Sequence, residues 1–165
     1  LAVKHNAHFL AVLPLLSALG RYKIISVIRH PVPTILSWQS LQLPISSGRL
    51  PAAENLWPAV REISRSPREL VVKQVLLYET LMTRILECRE NTHIICYERL
   101  VADPMLLCLL LNQSYRKPVT LSSQNENKHY DWSKVAALRE LLTIHAPRTM
   151  SVYPRLDDTG SAAEL

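Results

Sequence analysis

Tyr22-Lys23-Ile24-Ile25-Ser26-Val27-Ile28-Arg29-His30-Pro31-Val32-Pro33-Thr34-Ile35-Leu36-Ser37-Trp38 changes character at its centre. An apolar, β-branched run ends at Arg29, two prolines break the chain, and Ser37 follows eight residues after the arginine. The run over Lys23–Ile28 predicts a strand apolar on both faces, as in a parallel sheet covered by helices. The residues after it predict a helix from about Pro33 to Leu41 whose first turn carries the Ser37 hydroxyl. In open α/β sheets ligands bind just outside the carboxyl ends of strands. Arg29 stands there, and its planar fork suits bidentate capture of a phosphate, with Ser37 as a further donor. Taken singly, each residue reads as an ordinary surface arginine and a helix serine bonded to its own backbone.

Upstream, Leu1-Ala2-Val3-Lys4 reads as the end of a strand. Asn6 can cap a helix with Phe9, Leu10, Leu13, Leu16 and Leu19 as its stripe and Gly20 as its stop. Strand, helix and strand within about thirty residues make a βαβ unit with a right-handed crossover. Downstream lie a turn-rich linker over Pro44–Pro51 and a short helix over Ala52–Ile63. Ser66-Pro67-Arg68-Glu69 then reads as a capping box that opens the longest helix, to about Glu90. Val71, Val75, Tyr78, Met82 and Ile85 share one face of it, and Glu69 with Lys73 adds an i,i+4 pair. Thr92–Tyr97 is a third strand, and Asp103-Pro104 caps a helix through Leu111. Ser114–Tyr130 is polar and irregular, and Asp131 or Ser133 caps a last helix that ends before Pro147. The expectation is an α/β fold of three layers, a mostly parallel sheet flanked by helices, in one domain over residues 1–154 with a flexible tail over 155–165.

At 165 residues, 48% hydrophobic and 20% charged, the chain is long enough and apolar enough to bury a core, which argues against disorder. The net charge of +5 favours anionic partners, but the bases are scattered, so nucleic acid is not expected. Cys88, Cys96 and Cys108 have neither CxxC nor histidine spacing, and read as reduced core thiols in a reducing, cytoplasmic compartment. No stretch approaches the ~20 apolar residues of a membrane span. The start at Leu1 reads as that of a fragment.

Three ordered segments carry a resemblance. Ile28-Arg29-His30-Pro31 with Leu36-Ser37-Trp38 resembles the 3′-phosphate-binding segment of the sulfotransferases that use 3′-phosphoadenosine 5′-phosphosulfate (PAPS), where Arg-Asp-Pro is followed by a serine at the same spacing. His30 replaces the usual aspartate. Ala2-Val3-Lys4-His5-Asn6, with Lys4 25 residues ahead of Arg29, is similar to the family's strand that ends in an active-site lysine, often followed by histidine. Ile94-Ile95-Cys96-Tyr97-Glu98-Arg99-Leu100-Val101-Ala102-Asp103-Pro104 is similar to its "Tyr-Glu-Asp-Leu … Asp-Pro" strand-to-helix junction, with Arg99 where an acid is usual.

The resemblance implies an N-terminally truncated P-loop-type sulfotransferase fold that moves a sulfuryl group from PAPS to a hydroxyl, less often an amine, of a carbohydrate or small molecule. Arg29 and Ser37 would hold the 3′-phosphate. Lys4 would neutralise charge developing on the leaving oxygen. His5, and next His8, would be the general base, since an imidazole titrates near neutrality, although family members also use a glutamate. His8 reads first as a solvated first-turn residue, and Glu98 first as a helix cap or ion-pair partner. Lys128 is a further phosphate candidate. His93, His129 and His145 lack metal-ligand spacing, and no metal is expected. Trp38, Trp57 and Trp132 read as packing or rim aromatics. The family's glycine-containing loop for the 5′-phosphosulfate has no counterpart, since Gly20, Gly48 and Gly160 do not follow a strand in that way. An acceptor pocket is expected from loops and inserted helices over Gln42–Arg65 and Ser114–Tyr130. Two rivals stand beside this reading: a kinase-like P-loop enzyme, and a non-catalytic nucleotide-binding or interaction fragment.

Overall fold

In the computed structural model, β1 (Ile24–Ile28) and β2 (Thr92–Cys96) run parallel in the register Ile24↔Thr92 to Ile28↔Cys96. The structure describes residues 6–114 and 120–155, so the expected strand over Leu1–Lys4 lies outside the described residues. Among those residues the sheet has two strands in a mostly helical, mixed α/β chain. The register brings Arg29 and Tyr97 off the sheet as neighbours, which sequence separation alone does not reveal.

Prolines set several of the helix starts. A first-turn N–H has no intrahelical partner, so proline at N1 sacrifices nothing there. Thus α3 (Pro31–Ser40), α4 (Pro51–Glu54), α5 (Pro58–Arg65) and α10 (Pro147–Val152) all begin at proline. The expected single helix over Ala52–Ile63 is therefore two, broken before Pro58, and α10 follows where the chain was expected to stop being helical. Near the start, α1 (Asn6–Ala11) and α2 (Leu13–Leu19) replace one predicted helix, because Pro14 cannot donate to the carbonyl four residues back. Gly20 ends α2 in the left-handed region at φ 62°, as expected.

The longest helix, α6 (Leu70–Glu87), organises the core. Val75, Tyr78, Met82 and Ile85 join Ile28, Ile35, Leu36, Leu138 and Tyr153 in one cluster. Leu77 points into a second cluster with Ala11, Ile45, Ala53, Trp57 and Val60. A helix buried on two sides is the pivot of a two-cluster core. The polar Gln74, fully buried between the layers, donates to the Ile45 carbonyl at 3.1 Å and accepts from Gln39 at 2.9 Å. The turn-rich linker forms a 3₁₀ turn (Pro44–Ser47), which with α4 and α5 closes this second cluster.

The capping box at Ser66 does not form. Glu69 is the N-cap of α6 without a side-chain cap bond, while the Ser66 hydroxyl donates back to Ile63 at 2.8 Å at the end of α5. Lys73, expected to pair with Glu69, donates to the Ser64 carbonyl at 3.1 Å, so the two helices are joined across their turn instead. The remaining helices are α7 (Tyr97–Ala102), α8 (Met105–Leu111) and α9 (Val135–His145). Asp103 accepts from the Met105 N–H at 3.0 Å, and Asp131 from the Ser133 N–H at 3.2 Å, so both junctions carry an aspartate acceptor as read from the sequence. No helix among the described residues is long and apolar enough to cross a membrane.

One cap comes from a distant helix. Glu79 on α6 accepts from the N–H groups of Arg148 and Thr149 at 2.8 and 2.9 Å and from the Thr149 hydroxyl at 2.7 Å, so it caps α10. Thr149 is fully buried, which leaves its donors no water to fall back on. Glu79→Ala is expected to cost about 1–3 kcal/mol in urea denaturation, the range for a lost cap with charged hydrogen bonds; a loss below about 0.5 kcal/mol would show that the cap is dispensable.

Candidate anion site at the carboxyl ends of the strands

Arg29 leaves β1 at its carboxyl end. Its backbone carbonyl accepts from the Tyr78 hydroxyl of α6. Its guanidinium lies over the Tyr97 ring, 5.0 Å from the centroid, in the arrangement of a cation–π contact. In the plane of the fork, Nε donates to Asn125 Oδ1 at 2.8 Å, and Nη2 donates to the Gln124 carbonyl at 2.6 Å and the Tyr130 hydroxyl at 3.2 Å. Nη1 has no such bond among the described residues. The irregular segment 120–131 therefore folds over the strand ends and supplies most of the arginine's partners.

His30 and Glu98 form the other half of the corner. The His30 ring is fully buried, its Nδ1 accepts from the Val32 N–H at 3.3 Å, and it packs edge-on against Tyr153 at 5.2 Å. A ring nitrogen thus takes the N-cap role, and α3 starts at Pro31 rather than Pro33. With that start Ser37 lies on the second turn, about 9 Å along the axis from Pro31. The first-turn hydroxyl is Thr34, which donates to the His30 carbonyl at 2.8 Å. Ser37 is half-buried on α3. Among the described residues no hydrogen bond brings its hydroxyl to Arg29.

Glu98 stands on the first turn of α7, directly after β2. Its Oε1 accepts from the His30 N–H at 3.0 Å and from Asn125 Nδ2 at 2.9 Å; its Oε2 accepts from the Tyr153 hydroxyl at 3.2 Å. It caps no bond of its own helix, and it makes no direct ion pair with Arg29. The Asn125 amide, 3% exposed, bridges the two, accepting from the cation and donating to the carboxylate. Both ends of that amide are therefore assigned by their partners.

Burial raises the hydroxyl pKa of Tyr78 well above its ordinary value, with the Glu98 charge adding to it, and it does the same at Tyr153, where Tyr78 and Glu98 add. Burial also pushes up the Cys96 and Cys88 thiols. Cys88, Cys96 and Cys108 are all free, the first two buried.

The other residues singled out in the sequence scatter. Lys4 and His5 lie outside the described residues. His8 is exposed on α1, in edge contact with Phe9 at 6.2 Å. Lys128 is exposed, and none of its contacts reaches Arg29. His93 and His129 are exposed and His145 half-buried. No group of three or more His, Cys, Asp or Glu side chains among the described residues could hold a metal. Trp57 is buried beneath Arg84, whose guanidinium is 4.0 Å from the ring centroid, and Trp38 tilts on Tyr78 at 6.0 Å. Trp132 is a rim aromatic, tilted on Tyr130 at 6.0 Å. Gly20 and Gly48 both follow short helical turns, with φ 62° and 71°, so neither builds a phosphate cradle after a strand. A cleft of about 200 Å³ opens away from the Arg29 corner, between β2 and α8, with Ile95, Arg99 and Leu109 on its walls. It is smaller than the roughly 300 Å³ at which ligand pockets begin. No family model matches the chain, and comparison with curated proteins and with solved structures found no match.

Asn125 and Tyr130 are the site residues that sequence reasoning missed. They sit in a polar stretch without periodicity, 96 and 101 residues from the arginine they bind. Glu98→Ala removes the acceptor from three donors at once and is expected to cost about 2–3 kcal/mol in urea denaturation, with Glu98→Gln costing less because one oxygen remains. Equal losses for the two variants would show that the acceptor oxygen is not what matters.

The buried tyrosines give an alkaline prediction. Above about pH 10 the unfolded chain releases tyrosine protons that the folded chain retains, so the folded state binds more protons and stability falls as pH rises. The fall is about 1.4 kcal/mol per pH unit for each tyrosine, beginning nearer pH 9 through the two buried thiols. Urea midpoints measured from about pH 8 to 11 should show it. Tyr153→Phe should make it shallower, and an unchanged slope in that variant would rule out Tyr153 as a source.

Proposed function

We propose that the chain is the 3′-phosphate half of a sulfotransferase domain of the P-loop-type, three-layer α/β fold, with PAPS as sulfuryl donor. The observation that carries the reading is the convergence of two of the three resembling segments. The register Ile28↔Cys96 brings Arg29 onto Tyr97 and, through Asn125, to Glu98. A cation at the carboxyl end of a parallel strand, next to a helix start, is where this architecture binds anions. Arg29 supplies the charge and the donors for a phosphate, and Ser37, one turn further along α3 than expected, supplies a hydroxyl only if the nucleotide extends along that helix.

PAPS brings the sulfuryl group and a bisphosphate leaving group. The acceptor oxygen attacks sulfur in line, the bond from sulfur to the phosphate oxygen breaks, and the acceptor proton goes to a base. Lys4 and His5 take the roles of charge neutraliser and base in this reading, on the resemblance of Lys4-His5 to the family's strand end. The protein's part is positioning and electrostatics, as in phosphoryl transfer. The acceptor is a hydroxyl-bearing carbohydrate or small molecule, and the free thiols fit a cytoplasmic location.

A second reading is favoured by the hydrogen bonding of Arg29 itself. A guanidinium with three bonds to one loop is a structural clamp, and a non-catalytic domain would need nothing more. Because β1 and β2 pair directly, a phosphosulfate-binding strand has no place between them and would have to add at an outer edge.

Titration calorimetry with adenosine 3′,5′-bisphosphate separates the two. The sulfotransferase reading expects binding that Arg29→Ala weakens by at least about tenfold, the value of a charge-assisted hydrogen bond. Arg29→Lys should recover little, because an ammonium lacks the fork. Binding that is absent, or indifferent to Arg29→Ala, leaves the clamp.

A further inference from the structure

We propose that the segment Ser122–Tyr130 is a strap that occupies the Arg29 fork when no nucleotide is bound and is released when a phosphate takes that fork. The proposal rests on Arg29 being a phosphate ligand and adds the regulation of that site.

The argument is geometric. An arginine presents five N–H donors in a plane. Nε and Nη2 form one edge able to grip a phosphate with two bonds, and Nη1 and Nη2 form the other, so Nη2 belongs to both. Asn125 Oδ1 and the Gln124 carbonyl fill the first edge at 2.8 and 2.6 Å. The Tyr130 hydroxyl at 3.2 Å takes the second N–H of Nη2, which the other edge needs. A bidentate grip on phosphate therefore requires that at least one strap contact give way. Nη1 alone offers a weaker, single-nitrogen hold.

The same contacts are half of the hydrogen bonds described between the strap and the strand ends. Besides Arg29, it is attached through the Tyr97 hydroxyl, which accepts from the Gln124 N–H at 2.9 Å and donates to the Ser122 carbonyl at 3.4 Å, and through Glu98, which accepts from Asn125. Ser122, Ser123 and Gln124 are exposed, and only Asn125 and Tyr130 are buried. A segment with few buried apolar contacts and polar anchors opens at the low end of a protein's stability range. Among the described residues Arg29, Tyr97 and Glu98 anchor it at the strand ends, while the Tyr130 ring packs into the core at its far end, so loss of the fork loosens chiefly the part around Gln124 and Asn125. Competition is reciprocal: the factor by which a bound anion weakens the strap is the factor by which the closed strap weakens the anion.

Hydrogen exchange of the full chain, read by mass spectrometry over residues 120–131, tests this alongside calorimetry with adenosine 3′,5′-bisphosphate. The bound protein should exchange several-fold faster in that segment while α6 is unchanged. Arg29→Ala should exchange faster there with no nucleotide present. Tyr130→Phe, which deletes one contact and keeps the buried ring, should bind the bisphosphate about two- to tenfold more tightly, the worth of one hydrogen bond. Binding without faster exchange, or weaker binding by Tyr130→Phe, overturns the strap and leaves the nucleotide reading standing. No binding at all overturns both.

Discussion

The carboxylate of Glu98 is the interaction on which the carboxyl end of the sheet depends. One side chain accepts from the backbone after β1, from the buried amide of the 120–131 segment, and from the tyrosine that ends α10. Three parts of the chain, separated by 27 to 68 residues from it, are thereby assigned one position. A half-buried carboxylate is tolerable because its lone pairs are filled by donors rather than left to an apolar surround. Its charge in turn adds to the burial that keeps the phenols of Tyr78 and Tyr153 protonated. The corner is a polar network in which each member is held by others, and such networks define one arrangement when they are fully satisfied.

Arg29 is the second member of that network and the one with a conflict. Its backbone carbonyl is tied to α6 and its face to Tyr97, so the guanidinium has little freedom of orientation. Fixed orientation suits ligand binding, since the entropy of ordering a long side chain is already lost. The chain itself, however, engages Nε and Nη2, the nitrogen that both bidentate edges share. On the proposed reading one residue serves both as a phosphate ligand and as a structural clamp, and the amide of Asn125 is where those roles meet.

Much of the secondary structure was legible because it is local. The apolar runs of β1 and β2, the one-sided stripe of α6, the Gly20 stop and the Asp103 and Asp131 acceptors follow from periodicity and cap chemistry within a few residues. The errors were local choices settled by distant partners. Ser66 looked like the cap of α6 but is drawn to the end of α5, and Lys73 leaves Glu69 for a carbonyl of α5. Glu79 gave no sign of capping α10, because its partners lie 69 and 70 residues away. The single helix expected over Ala52–Ile63 is two, because Pro51 and Pro58 each start a helix. In the site, Arg29 was readable from its place after a strand, whereas Asn125 and Tyr130 carry no pattern.

By itself, then, the sequence determined that two apolar strands alternate with helices, that a cation follows the first strand, and that Tyr97-Glu98 follows the second. These are properties of neighbours along the chain, set by side-chain periodicity and backbone restriction. Only the tertiary structure decided that the strands pair directly, that Glu98 serves as an acceptor for three segments instead of a cap, and that Arg29 is held by Asn125, Gln124 and Tyr130. The physical reason is that a hydrogen bond depends on distance and angle in space, and a donor's partner a hundred residues away leaves no trace in the spacing around it.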